Sequence, residues 1–480
     1  MKHIVQTILA FSLIFSAPLR GTADQPEAEW EFLTFSTILA APAVDADGHV
    51  YAANFAGELY SLNPDGTLRW LYTGSEDMLE SSPTLGPDGD RVYLGSWDNH
   101  LYAIDALTGT LEWRYETGSY IAGSPAVNEQ GQVYFGSADG IVYALNPDGS
   151  LLWAFVGAGE FEASPALSPE GTLFIGDTLG NFYALDSATG DLAWSVDLET
   201  LSPDIDRDHG IYSSAAVSAN GQVYVASRDH HLYALDADGS LLWTFAAAEP
   251  IDSSPVIGFA NRIHIASYDG NLYAIDPEGA LVWQQFVGDV LLSSPAIDAQ
   301  GDLFIVGYAG DGISVMQKLD LNGEVIWENF WPALNDASPA LSPSGRIVFS
   351  FNDGSVHQFD NHRGPAATAW PQFNRSASRD ATLSPDFNQS PQGYFQVATV
   401  HDGDWTHDPA FGWIQTADFP WVYSDLFGWA WFYGSGTPTY WFWIANRSEF
   451  YYSHTSILPW LWIPESATPV YLHPNAGMIF

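Results

Sequence analysis

The stretch SPAVNEQGQVYFGSADGIVYALNPDGSLLWAF, residues 124–155, is one copy of a unit that the chain repeats with variation. Its fixed features are a Ser-Pro opening, a Val-Tyr pair, a Tyr-Ala-Leu segment, a turn Gly and a Trp. The Trp recurs at intervals of 40, 43, 40, 41, 49, 40, 44 and 43 residues, at Trp30, Trp70, Trp113, Trp153, Trp194, Trp243, Trp283, Trp327 and Trp370. A period of this length is typical of propeller blades and stacked arrays.

Four short runs with alternating apolar residues fill this unit, and turn residues separate them. The runs are SPAV, QVYFGS, IVYALN and LLWAFV, and the turns are NEQG, ADG and NPDG. Alternation with period two predicts strands, and Asp, Asn, Pro and Gly supply the backbone angles of tight hairpins. A four-stranded antiparallel sheet repeated around an axis is a β-propeller, so the predicted fold class is all-β.

The order of the repeats predicts how the ring closes. The first Trp segment aligns with strand four of a repeat, and eight sets of strands one to three follow it, opening at Ala41, Ser82, Ser124, Ser164, Ser214, Ser254, Ser294 and Ser338. The sequence therefore predicts an eight-bladed β-propeller of four-stranded antiparallel blades. Two segments compete for the fourth strand of the last blade: the one around Trp30, which we favour, and the one around Trp370.

The chain is strongly acidic, because 58 Asp and Glu against 14 Lys and Arg give a formal net charge of −44. Such a charge disfavours nucleic acid and anionic membrane surfaces as partners. It fits either a solvated acidic surface or a docking face for a basic partner. The sequence contains no Cys, which excludes disulfides, iron–sulfur clusters, Cys-zinc sites and Cys nucleophiles.

The first 23 residues have the pattern of a secretory signal peptide. Lys2 and His3 precede an apolar run over residues 4–15, and small residues at Gly21-Thr22-Ala23 offer a cleavage site. The run is too short to span a bilayer, and no later stretch reaches 18 uninterrupted apolar residues. We therefore expect a soluble monomer without a transmembrane segment, exported to the periplasm, the outer-membrane surface or the exterior.

The segments ALDSATGDLAW, ending at Trp194, and AIDALTGTLEW, ending at Trp113, resemble the docking motif of pyrroloquinoline-quinone (PQQ) type propellers. The resemblance covers residues 28–381. It implies that the Trp of one blade packs against a neighbouring blade, which makes structural docking residues of Trp70, Trp113, Trp153, Trp194, Trp243, Trp283 and Trp327.

The family that this chain resembles includes two kinds of protein. The quinone-dependent dehydrogenases hold a tricarboxylate cofactor with basic side chains, calcium and an adjacent-Cys disulfide, whereas this chain has no Cys and few, scattered basic residues. The other kind, similar to the propeller lipoprotein BamB of outer-membrane barrel assembly, is non-catalytic, although the lipid-bearing Cys is missing here. We predict no enzymatic activity, no catalytic residues and no bound cofactor. The expected function is a protein-binding scaffold at the cell envelope, with a PQQ-dependent dehydrogenase as an alternative.

Loops between strands two and three share one face of a propeller with the loops that lead to the next blade. Four of them carry polar residues, at 97–100, 137–140, 228–231 and 268–271. Asp-Gly and Asp-Asn are ordinary hairpin turns, and this interpretation competes with ligand binding. The adjacent His230 and His231 would point to opposite faces of a strand, which argues against one shared metal.

An insertion after Trp194 carries alternating carboxylates at Asp204, Asp206 and Asp208. This spacing matches positions one, three and five of a calcium loop, where hard oxygen ligands converge on the ion. The turn Gly comes one position late, at Gly210, and Ala215 stands where a bidentate Glu is required. A calcium site and a solvated acidic loop both remain open.

The repeat stops near Asp380, and residues 382–393 form a Ser-, Pro- and Gln-containing linker. Residues 394–480 then form an aromatic-rich C-terminal module with nine of the 20 Trp, which predicts a small β module of stacked hairpins. These Trp form either its core or a surface that binds envelope glycans, so a glycan-binding protein is a second alternative function.

Overall fold

The computed structural model describes residues 27–201 and 208–361, Pro365, and the strands between residues 399 and 479. The chain divides into two compact units, Met1–Leu383 and Ser384–Phe480. The predicted signal peptide 1–23 and linker 382–393 lie outside the described residues, as does Trp370. No helix among the described residues is long and apolar enough to cross a membrane.

The first unit contains eight four-stranded antiparallel sheets, which confirms the all-β, eight-bladed propeller. Blades one to four comprise β2 (Ala43–Val44), β3 (Val50–Ala53), β4 (Leu59–Leu62), β5 (Leu68–Tyr72); β6 (Thr84–Leu85), β7 (Arg91–Gly95), β8 (His100–Asp105), β9 (Leu111–Glu116); β10 (Ala126–Val127), β11 (Val133–Ser137), β12 (Ile141–Leu145), β13 (Leu151–Val156); β14 (Ala166–Leu167), β15 (Thr172–Gly176), β16 (Asn181–Asp186) and β17 (Leu192–Asp197).

Blades five to seven continue the same order, and blade eight begins with three further strands. They comprise β18 (Ala216–Val217), β19 (Val223–Ala226), β20 (His231–Leu235), β21 (Leu241–Ala246); β22 (Val256–Ile257), β23 (Ile263–Ala266), β24 (Asn271–Ile275), β25 (Leu281–Phe286); β26 (Ala296–Ile297), β27 (Leu303–Tyr308), β28 (Ser314–Leu319), β29 (Val325–Trp331); β30 (Ala340–Leu341), β31 (Arg346–Ser350) and β32 (Ser355–Asp360). One short helix, α1 (Leu198–Leu201), begins the insertion after blade four, and a 3₁₀ turn covers Phe259–Asn261.

The N-terminal strand β1 (Ala28–Leu33) closes the ring. It pairs antiparallel with β32, with Trp30 opposite Gln358 and Leu33 opposite Ser355, so blade eight has the order β1-β32-β31-β30. This confirms the closing strand that the repeat order favours. The two ends of the propeller are thereby joined by contacts more than 300 residues apart in sequence.

In the part of the propeller that the structure describes, seven Trp residues from fourth strands reach into the next blade. The indole of Trp153 donates a hydrogen bond to the backbone oxygen of Ser187 at 2.8 Å, and its ring lies against Gly190. Equivalent bonds to the following blade, at 2.8–3.1 Å, come from Trp30, Trp70, Trp113, Trp194, Trp243 and Trp283. Trp327 lies at the same position of blade seven, and the turn that would face it falls outside the described residues.

The turn glycine explains why this packing is possible. Gly190 has φ +76°, a left-handed conformation that other residues adopt at a cost. A Cβ at that position would lie 2.6 Å from Cδ2 of Trp153. Glycine therefore serves both the turn and the close approach of the ring.

The second unit is a single ten-stranded antiparallel sheet whose strands follow sequence order. This agrees with the predicted β module. Its strands are β33 (Thr399–His401), β34 (Trp405–Asp408), β35 (Gly412–Gln415), β36 (Trp421–Ser424), β37 (Gly428–Tyr433), β38 (Thr439–Ile444), β39 (Glu449–His454), β40 (Trp460–Ile463), β41 (Thr468–His473) and β42 (Gly477–Ile479).

Candidate functional site

The first strands of the blades surround the propeller axis. First strands of adjacent blades lie side by side. At most junctions the residue that opens a blade also bonds to the next blade, as in the 3.0 Å bond from the backbone N–H of Ser82 to Oγ of Ser124. Five more junctions show the same bond at 2.8–2.9 Å, and the serines that accept it are Ser82, Ser164, Ser254, Ser294 and Ser338. The Ser of the Ser-Pro opening is therefore a structural link between blades.

The residues two positions before these openings form a second ring at one end of the axis, which we call the axial mouth. All eight are partly exposed, and they are Leu39, Glu80, Ala122, Glu162, Tyr212, Asp252, Leu292 and Asp336. The repeat fixes its Trp, Gly and Ser positions, whereas this position changes from blade to blade. Four of its eight residues are carboxylates, so the mouth has a chemical character that blade packing does not require.

Aromatic side chains from the neighbouring loops bond to the mouth carboxylates. Trp97 Nε1 donates to Glu80 Oε2 at 2.8 Å, and Tyr120 Oη donates to Glu162 Oε1 at 2.7 Å. The rings of Trp97 and Tyr120 stack with their centroids 4.6 Å apart. Tyr308 in turn donates to Oδ1 of Asp336. The mouth thus combines aromatic rings with carboxylates that neutral donors hold in place.

Asp252 differs because a cation neutralises it. The guanidinium of Arg228 donates to both carboxylate oxygens of Asp252, at 2.9 and 2.8 Å, while it lies 3.6 Å from the ring centroid of Tyr212. Tyr268 Oη donates to the same carboxylate at 2.5 Å. The hydrogen bonds to Asp252 raise the pKa of Arg228 above its usual value. We call this set of four residues the arginine clamp.

The negative charges of the mouth influence one another. Burial, followed by the charges of Glu162 and Asp336, raises the pKa of Glu80, and the hydrogen bond from Trp97 opposes this rise. The bond to Glu162, then burial, raises the pKa of the Tyr120 hydroxyl. Both shifts indicate an environment in which further negative charge is unfavourable.

The aspartates of the predicted polar loops have a structural role, because they accept hydrogen bonds that hold the loops in place. Asp98, Asp139 and Asp269 each accept a hydrogen bond from a Tyr hydroxyl four residues later, at 2.5–2.7 Å, and Asp229 accepts the same bond from Tyr233. Asp139 also accepts from the backbone N–H of Gly118, which belongs to the preceding blade. Asp98 and Asp269 accept equivalent bonds from the preceding blade, so these three aspartates connect the loops of adjacent blades. Other residues of the loops, such as Trp97 and Arg228, contribute to the mouth.

The two adjacent histidines do not share a strand, in contrast to the strand on which the sequence argument relied. His230 lies in the turn with φ +74° and its Nδ1 is 2.9 Å from the oxygen of Ala248, whereas His231 is buried at the start of β20. No group of three His, Cys, Asp or Glu in the described part of the chain could hold a metal ion. Asp208 bonds to the backbone N–H of Gly210, while Asp204 and Asp206 lie outside the described residues, so calcium binding stays a prediction.

The mouth does not fit the quinone cofactor that the family resemblance implies. A tricarboxylate requires cationic partners, yet the described mouth presents four carboxylates and one guanidinium, and Asp252 already binds that guanidinium.

Sequence reasoning missed the mouth carboxylates. Each residue is isolated in the sequence and has no motif around it. The available signal was their shared position two residues before the strand opening, which appears only when the eight repeats are aligned with one another.

Comparison with known proteins supports the fold and the family. The family model described as outer membrane protein assembly factor BamB matches residues 22–155, 138–251 and 180–364. The propeller is similar to BamB from Moraxella catarrhalis, with a TM-score of 0.59 and 21% identity over 70% of this chain and 100% of that one.

Two further similarities involve enzymes. Quinohemoprotein alcohol dehydrogenase from Comamonas testosteroni has a TM-score of 0.57 and 16% identity over 71% of this chain and 77% of that one. An 81-residue segment is 38% identical to lambda-carrageenase from Pseudoalteromonas carrageenovora, which covers 16% of this chain and 8% of that protein. The chain thus spans a small part of this curated relative, and the solved structures show a shared fold.

Proposed function

Because the chain belongs to the family of outer membrane protein assembly factor BamB, we propose that it is a non-enzymatic scaffold that binds a protein partner at the bacterial cell envelope. The observation that supports this role is the axial mouth. Its residues vary among otherwise regular blades, and Trp97, Tyr120 and Arg228 beside it are of the types that protein-binding surfaces favour. The first 23 residues would direct the protein out of the cytoplasm.

Site-specific photo-crosslinking in the source cells tests this role. A benzophenone amino acid at Ala122 places the reactive group in the mouth, whereas the same group at Leu107, 72% exposed in a turn at the opposite end of the blades, is the control. We expect one envelope protein to crosslink from Ala122 and not from Leu107. The same products from both positions, or none from Ala122, would contradict the scaffold role.

The dehydrogenase alternative needs its own experiment, since a scaffold and an enzyme share this fold. The full chain is incubated with PQQ and calcium, dialysed, and examined by absorbance and by dye reduction with alcohols. We expect no stoichiometric chromophore, because the one guanidinium among the described residues of the mouth is already paired with Asp252 and three carboxylates need several cations. A retained chromophore with calcium-dependent dye reduction would replace the scaffold with an enzyme.

Glycan binding by the C-terminal module is the second candidate function. The register of its sheet places aromatic residues opposite one another, such as Trp431 opposite Trp443 and Tyr433 opposite Trp441. Aromatic faces are suited to sugar rings. Titration of envelope polysaccharide into the full chain, compared with a chain that ends at Asp380, tests it. A heat signal that both chains share equally would exclude this module as the glycan site.

A further inference from the structure

We propose that Asp336 in the axial mouth receives the guanidinium or ammonium group of a basic segment of the protein partner. The inference rests on the proposed scaffold function and specifies the chemistry of its partner. It follows from three features of the mouth: a resident arginine that shows how the mouth binds a cation, an equivalent carboxylate with only neutral partners, and buried amide oxygens that lack donors.

The arginine clamp shows what this surface binds. Asp252 lies between Arg228, from the loop of the preceding blade, and Tyr268, from the loop of its own blade, and Tyr212 supplies the aromatic face. Bidentate carboxylate pairing combined with stacking on an aromatic ring is the geometry that suits guanidinium best. The propeller fills this position with its own side chain.

Asp336 occupies the same position in blade eight. Its carboxylate also accepts hydrogen bonds from two loops. One comes from the Tyr308 hydroxyl of the preceding blade, and the other comes from Asn352 Nδ2 of its own blade at 2.9 Å. Both partners are neutral, so its charge is not compensated. No Lys, Arg or His nitrogen of the described residues lies within 4 Å of the Asp336 carboxylate.

Two buried amide oxygens have no hydrogen-bond partner within the described residues: Oδ1 of Asn352, whose Nδ2 group donates to Asp336, and Oδ1 of Asn335, the residue before Asp336 in the sequence. The neighbouring groups determine which atom of each amide is the oxygen and which is the nitrogen. The Nδ2 group of Asn352 faces the Asp336 carboxylate, and the Nδ2 group of Asn335 faces the backbone oxygen of Ser350. The carboxylate and the backbone oxygen can only accept hydrogen bonds, so each must face the NH₂ side of its amide. The free atoms are therefore acceptors, and the missing groups are donors.

Asn335 is the more informative of the two amides. It is 1% exposed, and the corresponding position in the other blades is apolar, as with the fully buried Ile121 and Ile251. An unpaired buried acceptor destabilises a fold, so a polar residue here is explained by a ligand that donates hydrogen bonds. A guanidinium carries five N–H donors and can satisfy a carboxylate and amide oxygens together.

Electrostatics favours a basic chain segment over a single metal ion. Glu80 and Asp336 lie in blades two and eight with blade one between them, and no three acidic or His side chains of the described chain converge on one metal position. A segment with several Lys or Arg residues can approach carboxylates that are spread around a ring. Complementary charge also accelerates association with such a partner.

Calorimetry with a defined peptide tests the inference on the full mature chain. The probe is acetyl-tetra-arginine amide, and the matching tetra-citrulline peptide controls for shape without charge. We expect the arginine peptide to bind at low salt and the citrulline peptide not to bind. Asp336→Asn should weaken binding about tenfold or more, because a charged hydrogen-bond partner is lost.

Two variants control for general effects of charge and folding. Asp148→Asn removes the same charge at an exposed turn between strands three and four, away from the mouth, and should leave the affinity unchanged. Arg228→Gln should strengthen binding, because it frees Asp252 and Tyr212 for an incoming guanidinium. Equal affinities of Asp336→Asn and Asp148→Asn, or equal binding of the two peptides, would overturn the inference.

Crosslinking from Ala122 separates this inference from the proposed function. A partner that still crosslinks in Asp336→Asn to the wild-type extent would leave the scaffold role intact and refute the basic segment. Asp336-dependent peptide binding without any crosslinked protein would support a cation-binding mouth and remove the scaffold role.

Discussion

The contact between Trp153 and Gly190 offers the strictest test of how the blades are held together. Replacing Gly190 with Ala places a methyl group 2.6 Å from Cδ2 and 2.7 Å from Cε3 of the indole, which is far inside van der Waals contact. The ring or the turn must therefore move. The backbone adds strain, since φ is +76°.

The two effects can be separated by magnitude. A left-handed backbone costs a non-Gly residue about 1–2 kcal/mol, and overpacking adds about 1–3 kcal/mol. Gly190→Ala should therefore destabilise the propeller by roughly 2–5 kcal/mol. Gly89→Ala is the matched control, because Gly89 has φ +68° and no atom within 4 Å of the added Cβ. Gly89→Ala should lower the free energy of unfolding only by the cost of the left-handed backbone, about 1–2 kcal/mol.

A double-mutant cycle then isolates the contact. Trp153→Ala removes a nearly buried indole and its hydrogen bond to Ser187, which should cost about 3–5 kcal/mol. In that background the methyl at Gly190 meets no ring, so the double variant should be about 1–3 kcal/mol more stable than the sum of the single effects predicts. Urea unfolding followed by circular dichroism measures all four proteins. Additive effects, or equal costs for Gly190→Ala and Gly89→Ala, would refute the proposed packing.

Three further perturbations test the mouth and the axis. Burial raises the pKa of Glu80 in the folded protein, so ionisation of this carboxyl is unfavourable to folding. Glu80→Gln should therefore become more stable relative to the wild type as pH rises above the unfolded-state pKa of about 4.3. Urea unfolding at pH 4 to 7 measures this difference. Ser124→Ala removes the acceptor of the buried Ser82 N–H and should lower the free energy of unfolding by about 1–3 kcal/mol. Trp97→Ala should cost about 1 kcal/mol through loss of stacking on Tyr120, well below the cost of a docking Trp, in the same assay.

Each of these has an outcome that would contradict it. A stability difference for Glu80→Gln that does not change with pH would show that Glu80 ionises normally. Ser150→Ala, in an exposed turn, controls for Ser124→Ala, and equal losses would remove the axial serine link. A cost for Trp97→Ala as large as that of Trp153→Ala would mean that the two Trp have the same structural role.

The sequence was sufficient to predict the blades because each blade packs against the next through the same types of residue. Most interfaces combine a ring from one blade, a left-handed turn in the next and a Ser at the axis, so Trp153, Gly190 and Ser124 belong to series that are visible as a period. The closing strand followed for the same reason, since Trp30 obeys the same series and bonds to Pro64 in blade one.

The mouth was not predictable in this way because recognition has no reason to repeat. Glu80 and Asp336 lie at one repeat position, yet Ala122 and Leu292 occupy it in other blades. A pattern search treats such variation as noise. The orphaned oxygen of Asn335 also needs coordinates to be seen, because only the surrounding side chains show that no donor is present among the described residues.

The closure of the ring can be tested covalently, and the absence of Cys makes the test clean. Leu33 in β1 lies opposite Ser355 in β32. Cα atoms of directly opposed antiparallel residues are about 4.5–5.5 Å apart, which is within the range of a disulfide. We therefore expect the pair Leu33→Cys and Ser355→Cys to oxidise to an intramolecular disulfide, with a mass loss of about 2 Da from the two hydrogens.

Such a bond would enclose a loop of about 320 residues, and chain entropy sets a ceiling of roughly 6 kcal/mol on its stabilisation. Measured disulfides more often give about 2–4 kcal/mol, so the oxidised protein should unfold at clearly higher urea than its own reduced form. The reduced form is the matched control because it carries the same substitutions. Two free thiols after oxidation would mean that β1 is not the fourth strand of blade eight, and the segment around Trp370 would then be the candidate for that edge.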